Sequence, residues 1–140
     1  MYNIKQVGNF FLGPMFLQDN VKYNRVEIKN CIQISSEAYS IFKKAEGFDT
    51  IAYIFGGAGG FVTGWYVAGI LAGREQSPAL LIAGVGGILS AFIFEGIAIG
   101  KYNNAVEKYN KFLKRELALS DSEAGFQNKK FGIELVKICF

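Results

Sequence analysis

The sequence predicts a mainly α-helical membrane protein. We expect an antiparallel hairpin of two membrane-spanning helices packed through glycines (a glycine zipper), with amphipathic helical extensions and a short C-terminal β-strand. Twelve of the 17 glycines lie between Gly56 and Gly100, and the runs Thr50–Gly73 and Gln76–Phe94 contain no charged residue over 24 and 19 positions. About 20 apolar residues cross the roughly 30 Å of a bilayer core. Glycine costs a soluble helix about 1 kcal/mol per residue, whereas in lipid it lets helices approach closely.

The N-terminal segment, residues 1–34, has the weakest pattern. Phe10–Leu12 and Met15–Leu17 flank a Gly-Pro turn, and Val26–Ile34 mixes strand-like alternation with denser apolar residues. Short strands and irregular coil both fit this segment. The first residues have no uninterrupted apolar core and no A-x-A-like cleavage site, so we expect no signal peptide.

An amphipathic helix is predicted over residues 35–47. Ser35 or Ser36 can cap its first turn, and Gly47 is placed to end it. Lys43 and Lys44 lie in the last turn, where cations interact favourably with the helix dipole. Its apolar positions follow helical spacing: Ala38, Ile41, Phe42 and Ala45.

The transmembrane hairpin is predicted over residues 50–100, with spans at 50–72 and 79–100. The polar loop between them, Gly73–Pro78, is only six residues long. So short a connection makes the two spans antiparallel neighbours, and Pro78 suits the first turn of the second helix.

Beyond the hairpin, residues 101–118 predict a second amphipathic helix, with apolar residues at helical spacing and lysines on the opposite face. Residues 131–140 are rich in β-branched and aromatic side chains, which is typical of a strand. This strand could pair with an N-terminal segment such as Val7–Leu12 or Val21–Ile28, or add to the sheet edge of a partner.

Glycines and one alanine form the predicted helix-packing sites. Their i, i+4 spacing lines them along helix faces and leaves grooves for a second backbone. The grooves either close the two spans on each other or remain free for a second copy or a partner. Neither cluster fits a phosphate-binding pattern. The predicted packing residues are Gly56, Gly60, Gly64, Gly69, Gly73, Gly84, Gly87, Ala91, Gly96 and Gly100.

Glu95 is the one ionisable residue inside a predicted span. Such a carboxylate costs a few kcal/mol and usually faces protein or water. From the short loop we expect Glu95 to lie level with Gly56 and Gly57. It could reach interfacial water, pair with Lys101 or Lys44, line an ion path, or contact another subunit.

Composition excludes several classes of function. The chain has no histidine, so His-containing catalytic triads, zinc sites and haem ligands are excluded. Cys31 and Cys139 are 108 positions apart and form no ligand cluster; two buried thiols are favoured over one disulfide. We expect no catalytic residue, no metal, no cofactor and no small-molecule substrate. A net charge of +3 without a basic stripe argues against nucleic acid.

The arrangement resembles a group of small, uncharacterised bacterial membrane proteins with two spans. In that group a helix like Ser35–Ala45 precedes a glycine-rich hairpin, here Gly56–Gly100. A helix with a K-x-x-A-V-x-x-Y-N-like motif follows, here Asn104–Asn110 with the preceding Lys101. The resemblance covers about half of the chain. It implies a fold type and no catalytic residues.

These observations favour a non-enzymatic accessory or structural subunit that packs against itself, as a homo-oligomer, or against a larger envelope complex. The alternative is a small oligomeric channel or pore-forming protein. Basic residues flank the hairpin and the loop carries only Arg74. The positive-inside rule therefore places both termini in the cytoplasm for a bacterial inner membrane.

Overall fold

The computed structural model describes residues 4–7, 14–18 and 20–122, with side chains up to Leu119. The chain is mainly helical and divides into two compact units. The terminal unit comprises Met1–Lys43 with Gly100–Phe140, and the hairpin unit comprises Lys44–Ile99. The predicted strand at residues 131–140 lies outside the described residues.

The terminal unit begins with a small antiparallel sheet. Its strands are β1 (Lys5–Gln6), β2 (Phe16–Gln18) and β3 (Val21–Tyr23), in the order β1-β2-β3. Asn20, in the turn between β2 and β3, has φ 67°, a conformation that asparagine tolerates better than most residues. Of the two structures that fitted the N-terminal segment, short strands are the one observed here.

Helix α1 (Arg25–Ile32) follows directly, in part of the segment whose pattern had looked strand-like. A capping box explains its start. The Asn24 side chain accepts from the backbone N–H of Val26 and Glu27, at 2.8 and 3.0 Å, and the Glu27 carboxylate accepts from the Asn24 N–H at 2.8 Å. Three otherwise unpaired backbone donors at the first turn are thereby satisfied.

Large aromatic side chains form the core of the terminal unit. Phe16 from β2, Phe42 and Tyr102 are all essentially inaccessible to solvent. The Phe42 and Tyr102 rings are 5.0 Å apart between centroids, and each lies about 6 Å from the Phe16 ring. At the sheet edge, the Asn110 amide both accepts from the Ile4 N–H and donates to the Ile4 carbonyl, in the manner of a neighbouring strand.

Helices α2 (Ser36–Leu71, 36 residues) and α3 (Pro78–Ser122, 45 residues) are continuous. The break predicted at Gly47 is absent. Ala45 and Ala52, on either side of Gly47, are both buried, and the Thr50 hydroxyl donates to the Glu46 carbonyl across it. Packing on both sides thus outweighs the roughly 1 kcal/mol helix penalty of a single glycine.

The turn between α2 and α3 is a Schellman motif. Gly73 has φ 71°, its N–H donates to the Ile70 carbonyl, and the Arg74 N–H donates to the Gly69 carbonyl. Glycine adopts this left-handed conformation without steric cost, which is why it commonly follows the last residue of a helix. The chain therefore reverses immediately after α2 ends.

Candidate functional site: the glycine contact face of the hairpin

The two apolar helices of the hairpin unit contact each other through backbone atoms. A Cβ atom added to Gly59 would lie 2.7 Å from both the Gly84 carbonyl oxygen and the Ile88 nitrogen. One added to Gly87 would lie 3.0 Å from the Gly59 Cα. Real Cβ atoms do not approach backbone as closely as 2.7 Å, so at Gly59 only glycine permits the observed helix separation, while at Gly87 an added Cβ would be tighter than ordinary van der Waals contact.

Contacts on either side of Gly59 extend the same face in both directions. Gly56 lies opposite Ala91, which is 1% exposed, and an added Cβ would be 3.4 Å from the Ala91 Cβ. On the other side Gly84 lies against Thr63. Ascending positions on α2 meet descending positions on α3, so the predicted antiparallel arrangement is observed.

A second set of glycines points away from this contact face. An added Cβ would find no atom within 4 Å at any of these positions. In the hairpin unit the helix contact therefore uses only part of the glycine content, and the remainder lies on outer faces. The outward glycines are Gly47, Gly57, Gly60, Gly64, Gly86 and Gly96.

Three further predicted packing positions have other surroundings. Gly69 lies against the Gln76 side chain of the loop. Gly73 lies beyond the end of α2, where its positive φ forms the turn. Gly100, in the terminal unit, has open space around its Cβ position. Sequence spacing grouped these glycines with the contact face because it does not distinguish a turn from a helix groove.

Glu95 on α3 and Asp49 on α2 are both acidic residues of the hairpin unit. Asp49 is 4% exposed and Glu95 is partly buried. Next to Glu95, the Phe94 ring stacks on the rings of Phe48 and Phe55, at 6.3 and 5.7 Å between centroids.

The level of Glu95 differs by one helical turn from the expected one. Ala91, not Glu95, lies opposite Gly56. The expectation assumed that the chain reverses at the middle of the loop. Because it reverses at Gly73 instead, α3 is displaced along α2 by about one turn.

Gly59 and Thr63 are contact residues that the predicted packing set omits. With Ala52 and Gly56 they follow the i, i+4, i+7, i+11 pattern of one helix face. Ala52 is buried on this face, but it also begins the four-residue series of Gly56, Gly60 and Gly64, so spacing alone does not choose between the two sets. The regular four-residue interval of Gly56, Gly60 and Gly64 predicted a different set of positions. These positions rotate gradually around the helix, because four residues exceed one turn of 3.6 residues.

The outer surface of the hairpin unit is apolar. α2 and α3 are long and apolar enough to cross a membrane, and only 6% and 11% of their most apolar windows are buried. The core helix of a soluble protein would be mostly buried. The most exposed large side chains, at 58% or more, are Tyr53, Ile54, Phe61, Trp65, Leu71, Ile82, Leu89 and Ile93.

Among the described residues no group of three or more His, Cys, Asp or Glu side chains could hold a metal ion. No protein-family model matches the sequence, and comparisons with curated proteins and with solved structures give no match either. The packing geometry is therefore the basis for assigning a role.

Proposed function

We propose that the chain is an integral membrane protein whose hairpin unit spans a lipid bilayer. The exposed apolar surface of α2 and α3 carries this proposal. Soluble monomers rarely expose contiguous apolar surface on this scale, and small residues between helices with large ones outside are typical of packing in lipid.

Both chain ends are proposed to lie in the cytoplasm, with the hairpin in a bacterial inner membrane. By sequence, the terminal unit carries 13 basic and eight acidic residues, and the hairpin unit carries two basic and four acidic ones. Basic residues are retained on the cytoplasmic side during insertion. The charge distribution thus supports this topology.

The function we favour is that of a non-enzymatic accessory or structural subunit, packing through glycines with itself or with a larger envelope complex. The outward glycines support this, because their backbone lies open on α2 and α3. Glycine has a low helix propensity, and no contact within the hairpin requires it at these positions.

Two measurements on the full chain test this function, the first on membranes that contain it and the second on the detergent-solubilised protein. Alkaline carbonate extraction should leave the wild type in the membrane fraction. Cross-linking in mild detergent should then yield a discrete homo-oligomer or a complex of fixed composition, which Gly60→Leu weakens. The proposal would be contradicted if carbonate released the wild type from the membrane. It would also be contradicted if cross-linking gave only a monomer for both the wild type and Gly60→Leu.

An oligomeric channel or pore is the second candidate. Glu95 favours it, because an ionisable residue inside a membrane span usually faces protein or a water-filled cavity. Liposomes containing the protein should then leak ions, and Glu95→Gln should alter that leak. Gly96→Ala, at the adjacent outward position, is the matched control. Sealed liposomes would leave the subunit proposal as the better one.

A further inference from the structure

A hollow of about 340 Å³ lies between β1 and the part of α3 that belongs to the terminal unit. Its floor is apolar, since Ile4 and Val106 line it and are 2% and 4% exposed. Its rim is polar and carries the exposed side chains of Lys5, Asn103 and Glu107. The volume is at the lower end of the roughly 300–1,000 Å³ that ligand pockets occupy, so a few side chains of a peptide segment would fill it.

The rim offers a cation and an amide to an occupant. Within the described residues Lys5 makes no ion pair and the Asn103 side chain makes no hydrogen bond. The other polar lining residues are engaged, because Glu107 is in an ion pair and Gln6 and Asn110 have interactions of their own. A carboxylate in the hollow would therefore meet Lys5 and Asn103 as hydrogen-bond donors.

An extended segment suits this side of β1. β1 is an outer strand of the described sheet, next to β2 alone. At Ile4, which lines the hollow, the Asn110 amide already fills the place of a neighbouring strand, accepting from the N–H at 3.1 Å and donating to the carbonyl at 3.0 Å. Outer strands commonly take an added segment along their edge. The hollow therefore favours a piece of extended chain as its occupant.

Residues 131–140 of the same chain are within reach of the hollow. α3 ends at Ser122, and Asn110 and Asn103 lie 12 and 19 residues before it, which is about 18 and 28 Å at 1.5 Å per residue. The nine Cα steps from Ser122 to Phe131 cover up to about 30 Å when the chain is extended. The intervening residues are thus long enough to bring this segment back along α3.

The chemistry of residues 131–140 complements the hollow. Glu134 is the one acidic residue of this segment, and it lies between Ile133 and Leu135. In an extended chain alternate side chains project from opposite sides. The two apolar side chains would therefore share one side, towards the floor, while the carboxylate would be directed to the rim.

We propose that residues 131–140 dock in the hollow between β1 and α3. The Glu134 carboxylate accepts a hydrogen bond from the Lys5 ammonium, and the apolar side chains next to it cover Ile4 and Val106. Docking concerns the terminal unit alone, so it does not depend on whether the hairpin crosses a membrane.

A cross-linking experiment on the full chain in mild detergent tests the docking position. With Cys31→Ala, Cys139 is the single native thiol, and Asn103→Cys adds a second one at the rim of the hollow. Lys22→Cys is the matched control, because it is exposed on β3, only two strand spacings, about 10 Å, from β1. A short bismaleimide should close the Asn103→Cys loop about tenfold faster, since an undocked tether gives both thiols a similar, roughly millimolar, effective concentration.

Three results of this experiment would overturn the inference. Equal rates for the two variants would show that the segment does not dock at either strand. Faster closure with Lys22→Cys would place it on β3, the opposite edge of the sheet. A cross-linked dimer in place of the internally linked monomer would show that it docks on a second copy.

Charge exchange tests the same contact without introduced thiols. Amide exchange of residues 131–140 should be slow in the wild type and accelerate by up to about fivefold in Lys5→Glu, as for loss of one exposed ion pair. Combining Lys5→Glu with Glu134→Lys should restore the slow exchange. Lys22→Glu is the control for total charge and should leave it unchanged. Failure of the double variant to restore protection would overturn the pairing of Lys5 with Glu134.

Discussion

In the terminal unit the largest side chains lie inside, whereas in the hairpin unit they lie outside. Phe16, Phe42 and Tyr102 are buried in the first, while in the second Phe61 and Trp65 are exposed and Gly59 occupies the contact. Burial of large apolar groups drives folding in water. Where the surroundings are themselves apolar, burial of apolar groups gives no such driving force, and close packing of helix backbones stabilises the contact instead. One pair of helices thus uses both modes of packing at different points along its length.

The largest expected effect tests the backbone contact of the hairpin. Gly59→Leu should prevent the helices from closing, because the first added atom already meets backbone at 2.7 Å. We expect loss of at least the 1–3 kcal/mol typical of overpacking, measured by reversible unfolding in detergent. Gly60→Leu, compared on the monomeric protein, is the matched control for the contact within the hairpin, since its Cβ meets nothing within 4 Å. Equal destabilisation of the hairpin by both variants would refute the contact face.

A second experiment tests the aromatic core of the terminal unit. Phe42→Ala should cost about 3–5 kcal/mol, as for other fully buried phenylalanines. Phe61→Ala, at a side chain that is 72% exposed, should change the free energy of unfolding by about 0.5 kcal/mol or less. Amide exchange measured separately over α1 and over residues 50–72 would assign each loss to its unit. If Phe61→Ala lowered the free energy of unfolding more than Phe42→Ala, the contrast between the two units would be refuted.

The start of α1 should give an intermediate effect. Asn24→Ala removes the acceptor for two backbone donors and should cost about 1 kcal/mol. Asn30→Ala, at an exposed position inside the same helix, is the control and should be neutral or slightly stabilising. Hydrogen exchange of the first-turn amides of α1 measures the difference between the two variants. If Asn24→Ala left these exchange rates unchanged, packing and not the cap would stabilise the start of the helix.

The smallest expected effect concerns pH. The hydrogen bond and charge of Glu37 raise the pKa of Lys108, so this stabilisation is present below the unfolded-state pKa and is lost as pH rises through the folded-state pKa. The hydrogen bond and charge of Lys111 lower the pKa of Glu107, so that stabilisation is present above the unfolded-state pKa and is lost as pH falls through the folded-state value.

Melting temperatures measured across pH report both effects: a fall in melting temperature at high pH (the alkaline limb) and a fall at low pH (the acid limb). Glu37→Gln should flatten the alkaline limb, and Glu107→Gln should flatten the acid limb. Glu116→Gln removes an exposed carboxylate of the same helix as a control. Unchanged limbs in the first two variants would show that both exposed ion pairs contribute nothing measurable.

Periodicity and charge were sufficient to predict the two long helices and their antiparallel order. They were insufficient at Gly47, where local propensity argued for an end but packing of Ala45 and Ala52 carries the helix through. The Asn24–Glu27 capping box was present in the sequence as N-x-x-E, yet the mixed pattern at Val26 and Ile28 fitted short strands or irregular coil. In the hairpin, spacing identified glycines without revealing which face they occupy. That depends on the turn at Gly73, whose positive φ no periodic pattern encodes.

The same turn bears on how such a hairpin would enter a bilayer. Its tip must be carried across the hydrocarbon, and every polar group at the tip that lacks a partner adds to the barrier. The Schellman motif pairs the Gly69 and Ile70 carbonyls with backbone donors, so neither requires water during the passage. Arg74 and Glu75 remain as adjacent charges of opposite sign. Their charges sum to zero, so the tip would carry no net charge across the bilayer.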